Sequence, residues 1–186
     1  GASLTAWVTM PDAIVAESAA RAGFDSVTLD MQHGAHDPVS VMRAIGSVVM
    51  AGKPAVVRVS VGDVAMASRA LDMGAAAIIA PMINSPADAE ALVEATKYPP
   101  VGERSWGATR AIQLKRTDAA SYLAAANRET VVFAMIETVA ALDALDAILA
   151  VPGLDAVFIG PSDLSIALAN GASVDPMRPD NQAAAT

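Results

Sequence analysis

Short runs of β-branched and aliphatic residues recur along the chain, each followed by an alanine-rich stretch whose apolar positions repeat at helical spacing. That alternation predicts a parallel sheet whose strands are joined by helical crossovers. Six strands are expected: Leu4 to Thr9, Ser26 to Asp30, Ala55 to Ser60, Ala76 to Ala80, Val131 to Glu137 and Ala156 to Gly160. Helix starts carry an acidic or hydroxyl cap beside a proline, as in Asp37-Pro38, Ser85-Pro86 and, more loosely, Pro11-Asp12. Helix ends are marked by Gly23, Gly74 and Gly153, each just ahead of a strand, where a left-handed residue can close the helix. Strand starts lie about 20 to 30 residues apart, the size of one βα unit. The exception is an insertion over residues 98–130, between the fourth and fifth strands. Its first part, Tyr98 to Arg110, reads as loop and Thr117 to Asn127 as a further helix; a loop of this length is expected to serve the site.

Two parallel-sheet architectures compete, the closed barrel and the open doubly wound sheet. No GxGxxG follows the first strand, and six units run in succession before the polar, proline-containing stretch DPMRPDNQAAAT. The expectation is an α/β fold, a (β/α)8 TIM barrel lacking its last two βα units, forming one domain over residues 1–186. A complete barrel takes about 250 residues. An apolar content of 54% over 186 residues suits one sizeable core. Twelve basic residues against 20 acidic ones give a net charge of −8, which argues against a nucleic-acid partner. With no cysteine, disulfides, thiolate metal sites and a cysteine nucleophile are excluded, so a metal would need oxygen or imidazole ligands. No apolar run approaches the roughly 20 residues of a membrane span, and the first residues lack a basic region followed by an apolar stretch, so a cytoplasmic protein is expected.

In parallel βα folds the active site gathers at the carboxyl ends of the strands. Five charged residues stand there: Asp30, with His33 just after it, Arg58, Glu137 and Asp163. Each follows an apolar run, and a charge beside a core must be paired, hydrogen-bonded or metal-bound. Glu137 and Asp163, from successive strand ends, can converge on one hard divalent cation such as magnesium or manganese, with cobalt also possible. The structural alternatives are a cap partner to Thr138 for Glu137 and a cap of the turn after Pro161 for Asp163. Asp30 is placed to orient the His33 imidazole as a general base, whereas His36, beside Asp37-Pro38, reads as a solvent-facing loop residue. Arg58 inside an apolar strand either meets a substrate anion or bridges to Asp30 or Glu137. Trp106, Met82 and Met135 are expected to line the mouth of the site, and the turn at GPSDLS offers backbone amides to an anion.

The motifs LDMQH, VVRVS, MIET and FIGPSDLS, in this order and spacing, resemble the HpcH/HpaI aldolase and citrate lyase family, chiefly its 2-keto-3-deoxy-acid and hydroxy-ketoacid aldolases. The likeness runs from AWVTM through YPPVGERSWG to GPSDLS. It implies a metal-dependent barrel enzyme, hexameric, that reversibly cleaves a 2-keto-4-hydroxy acid to pyruvate and an aldehyde. By motif, it makes Glu137 and Asp163 the metal ligands, His33 the residue linked to proton transfer and Asp30 its supporting acid. Arg58 then contacts the pyruvate oxygens, and Gly160, Pro161, Ser162 and Asp163 receive its carboxylate. Gln32 and Met135 stand where the family carries an acidic residue and often a glutamine, so a less polar pocket is expected. Lys53, Lys97 and Lys115, the only lysines, do not lie inside or at the carboxyl end of an expected strand, which argues against an imine mechanism. The rival readings are an acyl-CoA lyase of the same superfamily and a non-catalytic barrel module.

Overall fold

A computed structural model describes residues 2–184; Gly1, Ala185 and Thr186 lie outside the described residues. All six expected strands form, each ending within two residues of its expected bounds: β1 (Thr5–Val8), β2 (Ser26–Asp30), β3 (Ala55–Arg58), β4 (Ala77–Ala80), β5 (Val131–Ile136) and β6 (Ala156–Ile159). They make one parallel sheet in the order β1-β2-β3-β4-β5-β6. The crossover helices are α1 (Ala13–Arg21), α2 (Pro38–Met50), α3 (Val64–Met73) and α4 (Pro86–Thr96) after the first four strands. α5 (Thr109–Lys115) and α6 (Ala119–Glu129) precede β5, α7 (Val139–Asp143) and α8 (Leu145–Leu149) follow it, and α9 (Pro161–Leu168) and α10 (Pro179–Ala184) follow β6.

The expected caps hold these helices. Asp12, Asp37 and Ser85 each accept backbone amides of the first turn, and Pro38 and Pro86 occupy the first helical position. Gly74 closes α3 in the left-handed conformation at φ 108°.

A strand order that never reverses, with right-handed crossovers, places every helix on the same face of the sheet. Successive helices accordingly pack on one another, α1 on α2, α2 on α3, α3 on α4 and α4 on α8. The sheet is thus curled as part of a TIM-like barrel, with one face against helices and the other turned inward. Strand parity sorts the side chains between these faces. Val27, Leu29, Val57, Ile78, Val132 and Ile136 join the main core beneath the helices. Val56, Ala77, Ile79, Met135 and, partly buried, Phe133 and Phe158 form a second, inner cluster. Among the described residues no helix is long and apolar enough to cross a membrane.

The segment between α4 and β5 departs from expectation. It holds an unforeseen helix, α5, and it does not approach the carboxyl ends of the strands. α4 returns the chain to the amino ends of the strands, so a segment that follows it emerges at the opposite end from a strand-end site. α5 packs there against α2 and α3. Lys97 anchors the return: it is 1% exposed and its Nζ donates to Asn127 O at 2.9 Å, Thr130 O at 2.6 Å and Asp155 Oδ2 at 2.8 Å. Removing a buried cation from such a set leaves acceptors that water reaches poorly. Lys97→Ala should therefore lower unfolding free energy by roughly 3 kcal/mol, read as a fall in the urea midpoint; an unchanged midpoint would show that these bonds carry no net stability.

Candidate active site

Eight of the expected site residues, His33, Arg58, Met135, Glu137 and, at the opening of α9, Gly160, Pro161, Ser162 and Asp163, meet at the carboxyl ends of the strands around a pocket of about 340 Å³. Its inner wall is Trp7 of β1, Arg58 of β3, Met135 of β5 and Phe158 of β6; Glu137 follows β5, and Gly160, Pro161, Ser162 and Asp163 open α9. His33 reaches the same pocket from the loop after β2.

Asp30 and Arg58 are Cα partners across β2 and β3, both facing inward. Arg58 Nε donates to Asp30 Oδ1 at 2.9 Å and Nη2 to Oδ2 at 2.7 Å. Asp30 Oδ2 also accepts from Trp7 Nε1 at 3.2 Å, and Oδ1 from the backbone amides of Gln32 and His33 at 3.0 and 3.3 Å. The Arg58 guanidinium stands 4.9 Å from the centre of the Trp7 ring. Burial opposes ionisation of Asp30, but the bonds from Arg58, His33 and Trp7 outweigh it and hold the carboxyl below its ordinary range. The bridge kept open as an alternative for Arg58 is therefore present. It leaves Nη1 without a protein partner among the described residues.

Asp30 does not orient the His33 imidazole as expected. Both its oxygens are occupied, and it meets His33 through the backbone amide alone. The His33 side chain is exposed at the pocket rim.

Glu137 is 1% exposed, and its Oε1 accepts from Met82 N at 2.7 Å. Oε2 accepts no hydrogen bond among the described residues. It faces Gly160, where a Cβ would collide with Oε2 and with the Glu137 Cβ, so glycine is required for the carboxylate to sit here. Burial pushes the Glu137 carboxyl up; Met82 N–H opposes this, the Asp163 charge adds to it, and Arg58 and His33 oppose it, with a net rise. Asp163 lies in the first turn of α9, where its charge also complements the helix terminus. The capping role considered for Glu137 belongs to Thr138 alone, whose Oγ1 accepts from Ala141 N at 3.0 Å.

These features fit a divalent cation: an unbonded oxygen on a buried carboxylate, a second carboxylate lining the same pocket, and a glycine cradle that leaves room. Among the described residues no group of three His, Cys, Asp or Glu side chains is close enough to hold a metal, so the protein offers two carboxylates, and water or substrate would complete the shell.

Three expectations fail by placement, those for Trp106, His36 and Met82. Trp106 packs between Tyr98 and Tyr122, with ring centroids 5.5 and 6.0 Å away, in the segment after α4 and outside the pocket. His36 is 6% exposed rather than solvent-facing; its Nδ1 lies 3.2 Å from Ser40 Oγ, and burial lowers its pKa despite Asp30 and Asp37 nearby. The loop carrying it is drawn over β1 by the bond from Ala35 N to Thr9 O at 2.8 Å. Met82 borders the site through its amide and is not among the pocket-lining side chains. Trp7 and Phe158 were missed, although strand parity alone puts both on the inward face with Arg58.

Residues 4–184 match the HpcH/HpaI aldolase/citrate lyase family. A hydroxypyruvate/pyruvate aldolase of Pseudomonas aeruginosa is 38% identical over 183 residues, covering 98% of this chain and 68% of that protein. A 2-keto-3-deoxy-L-rhamnonate aldolase of Salmonella gallinarum is 35% identical over 164 residues, 87% of this chain and 61% of that protein. The crystal structure of a family protein from Burkholderia cenocepacia superposes with a TM-score of 0.83 at 30% identity, covering 98% of this chain and 73% of that one. The chain thus spans about two thirds of the length of these aldolases, and it belongs to the HpcH/HpaI aldolase/citrate lyase family of carbon–carbon lyases.

Proposed function

We propose that this pocket is the active site of a class II aldolase that reversibly cleaves a 2-keto-4-hydroxy acid to pyruvate, or a related 2-keto acid, and an aldehyde. Glu137 and Asp163 would hold a divalent cation, magnesium or manganese, with cobalt also suitable. The observation that carries this reading is the buried Glu137 carboxylate, whose free Oε2 sits beside Gly160 with the Asp163 charge facing it. When bound, the cation supplies Lewis acidity toward the substrate's carbonyl oxygen.

The protein's own groups account for the rest. Arg58, held on Asp30 by two bonds and over Trp7, presents Nη1 to the oxyanion that develops on carbon–carbon cleavage, with little reorganisation needed. The opening turn of α9, from Gly160 to Asp163, offers backbone amides and the positive helix end to the pyruvate carboxylate. His33 at the rim takes the proton of the substrate's 4-hydroxyl as general base. Met135, Trp7 and Phe158 make the inner wall apolar and keep water from the reacting carbons. Lys97 is buried at the amino ends of the strands, and Lys53 and Lys115 line a separate groove with Gly74 and Leu114, so no lysine is placed to form an imine.

The six-stranded sheet is best read as the larger part of a (β/α)8 barrel that two further βα units between β6 and β1 would close. A homo-oligomer, hexameric by family resemblance, is the assembly we propose.

Pyruvate release from a 2-keto-4-hydroxy acid should cease with chelator and return with added manganese or magnesium. Glu137→Ala should abolish both the activity and its metal response; retained activity with an unchanged response would refute the ligand assignment. Arg58→Lys keeps the charge but loses the two-point hold on Asp30, and kcat should fall about 100-fold, as for loss of a preorganised oxyanion donor. A kcat within a few-fold of the parent would remove Arg58 from the reaction. Because the folded pKa of Asp30 lies below its ordinary value of 3.8, its contribution to stability is fully present at higher pH and is lost as pH falls through the lower, folded value. Asp30→Asn should therefore reduce stability near neutrality and flatten the acid limb of the stability profile; a parallel downward shift without flattening would contradict the linkage.

A further inference from the structure

Glu137 is held by a backbone amide that sits in an unfavourable conformation, and the side chain that maintains it lies two residues further along. Met82 has φ 56°, in the left-handed region that side chains other than glycine rarely adopt. In that conformation its N–H points at Glu137 Oε1. The Asn84 amide is anchored at both ends: Nδ2 donates to Met82 O at 3.0 Å, and Oδ1 accepts from Thr138 Oγ1. Thr138 directly follows Glu137 and caps α7. One side chain thereby ties the loop after β4 to the loop after β5, across the carboxylate that the two loops share.

Helix capping does not require this arrangement. α4 is capped by the Ser85 side chain with Asp88, and the bond between Asn84 and Asp88 uses the Asn84 backbone amide. Among the described residues, both hydrogen bonds of the Asn84 side chain go to the Met82 carbonyl and the Thr138 hydroxyl, and neither serves the cap of α4. Its geometric consequence is that Oε1 of Glu137 is occupied and Oε2 is the oxygen left facing Gly160.

We propose that Asn84, with Thr138, is a positioning residue that fixes the Glu137 carboxylate for the cation, acting through the Met82 amide. This inference rests on the reading of Glu137 as a metal ligand. Groups that orient metal-bound carboxylates typically contribute 10- to 100-fold in metal affinity.

The test is a titration of metal-stripped, full-length protein with Mn2+, followed by the electron paramagnetic resonance signal of the free ion, with thermal unfolding recorded on the same samples. Asn84→Ala should weaken Mn2+ binding by about 10-fold or more, with KM-like dependence on Mn2+ shifted and kcat at saturating Mn2+ largely recovered. Thr138→Val, which removes the hydroxyl at similar volume, should weaken binding likewise, and Thr138→Ser, which keeps it, should bind within about twofold of the parent. Mn2+ affinity unchanged in folded Asn84→Ala or Thr138→Val, even with a lower melting temperature, would reduce the bridge to a loop brace and overturn the inference. Glu137→Gln separates the two levels. If it abolishes Mn2+ binding while Asn84→Ala does not alter it, the inference alone fails; if Glu137→Gln leaves binding intact, the ligand assignment fails and takes the inference with it.

Discussion

The site depends on the register between β2 and β3, which sets Asp30 opposite Arg58 on the inward face. An arginine in an apolar strand and a carboxylate 1% exposed are each costly alone. Paired through two charge-assisted bonds, with Trp7 closing one face, they become a fixed cation at the base of a pocket. A slip of one residue in either strand would turn that side chain into the helix-facing core and leave its partner's charge unpaired on the inner face. The hydrophobic parity that places Val27, Leu29 and Val57 under the helices therefore also aims the polar groups. Folding and site assembly are here one constraint.

Parity explains why so much was legible in advance. Strands buried on the helix side read as continuous apolar runs, and a charge that ends such a run has nowhere to go but the carboxyl end of the sheet. Asp30, Arg58, Glu137 and Asp163 were found that way, and the caps at Asp12, Asp37 and Ser85 follow from local backbone chemistry. The failures share a different cause. Trp106 and the segment after α4 were assigned to the site by loop length, yet which end of a sheet a loop serves is set by whether it follows a strand or a helix. His36 was read from its neighbours in sequence, whereas its burial comes from a bond between Ala35 and Thr9, more than twenty residues away. The Met82 amide and the Asn84 bridge are backbone conformation and long-range pairing, which no local pattern encodes.

Asp30 and Glu137 are equally buried, at 1% exposure, and lie on the same inward face, yet their carboxyl groups are displaced in opposite directions. Burial raises both. The difference lies in what each is given to offset it. Asp30 receives a guanidinium, an indole N–H and two amides, so its charge is satisfied within the protein. Glu137 receives a single hydrogen bond, from the Met82 amide; the Arg58 and His33 charges help, but Asp163 pushes the same way as burial and the net displacement is upward. A carboxylate whose demand for positive charge is met internally serves as an anchor, and one whose demand is left open serves as a ligand site. When neighbouring titratable groups are driven apart in this way, the environment has already divided their roles. By that division Asp30 holds the arginine, while Glu137, propped by Met82 and cleared by Gly160, keeps one oxygen unbonded within the protein, as the proposed cation site requires.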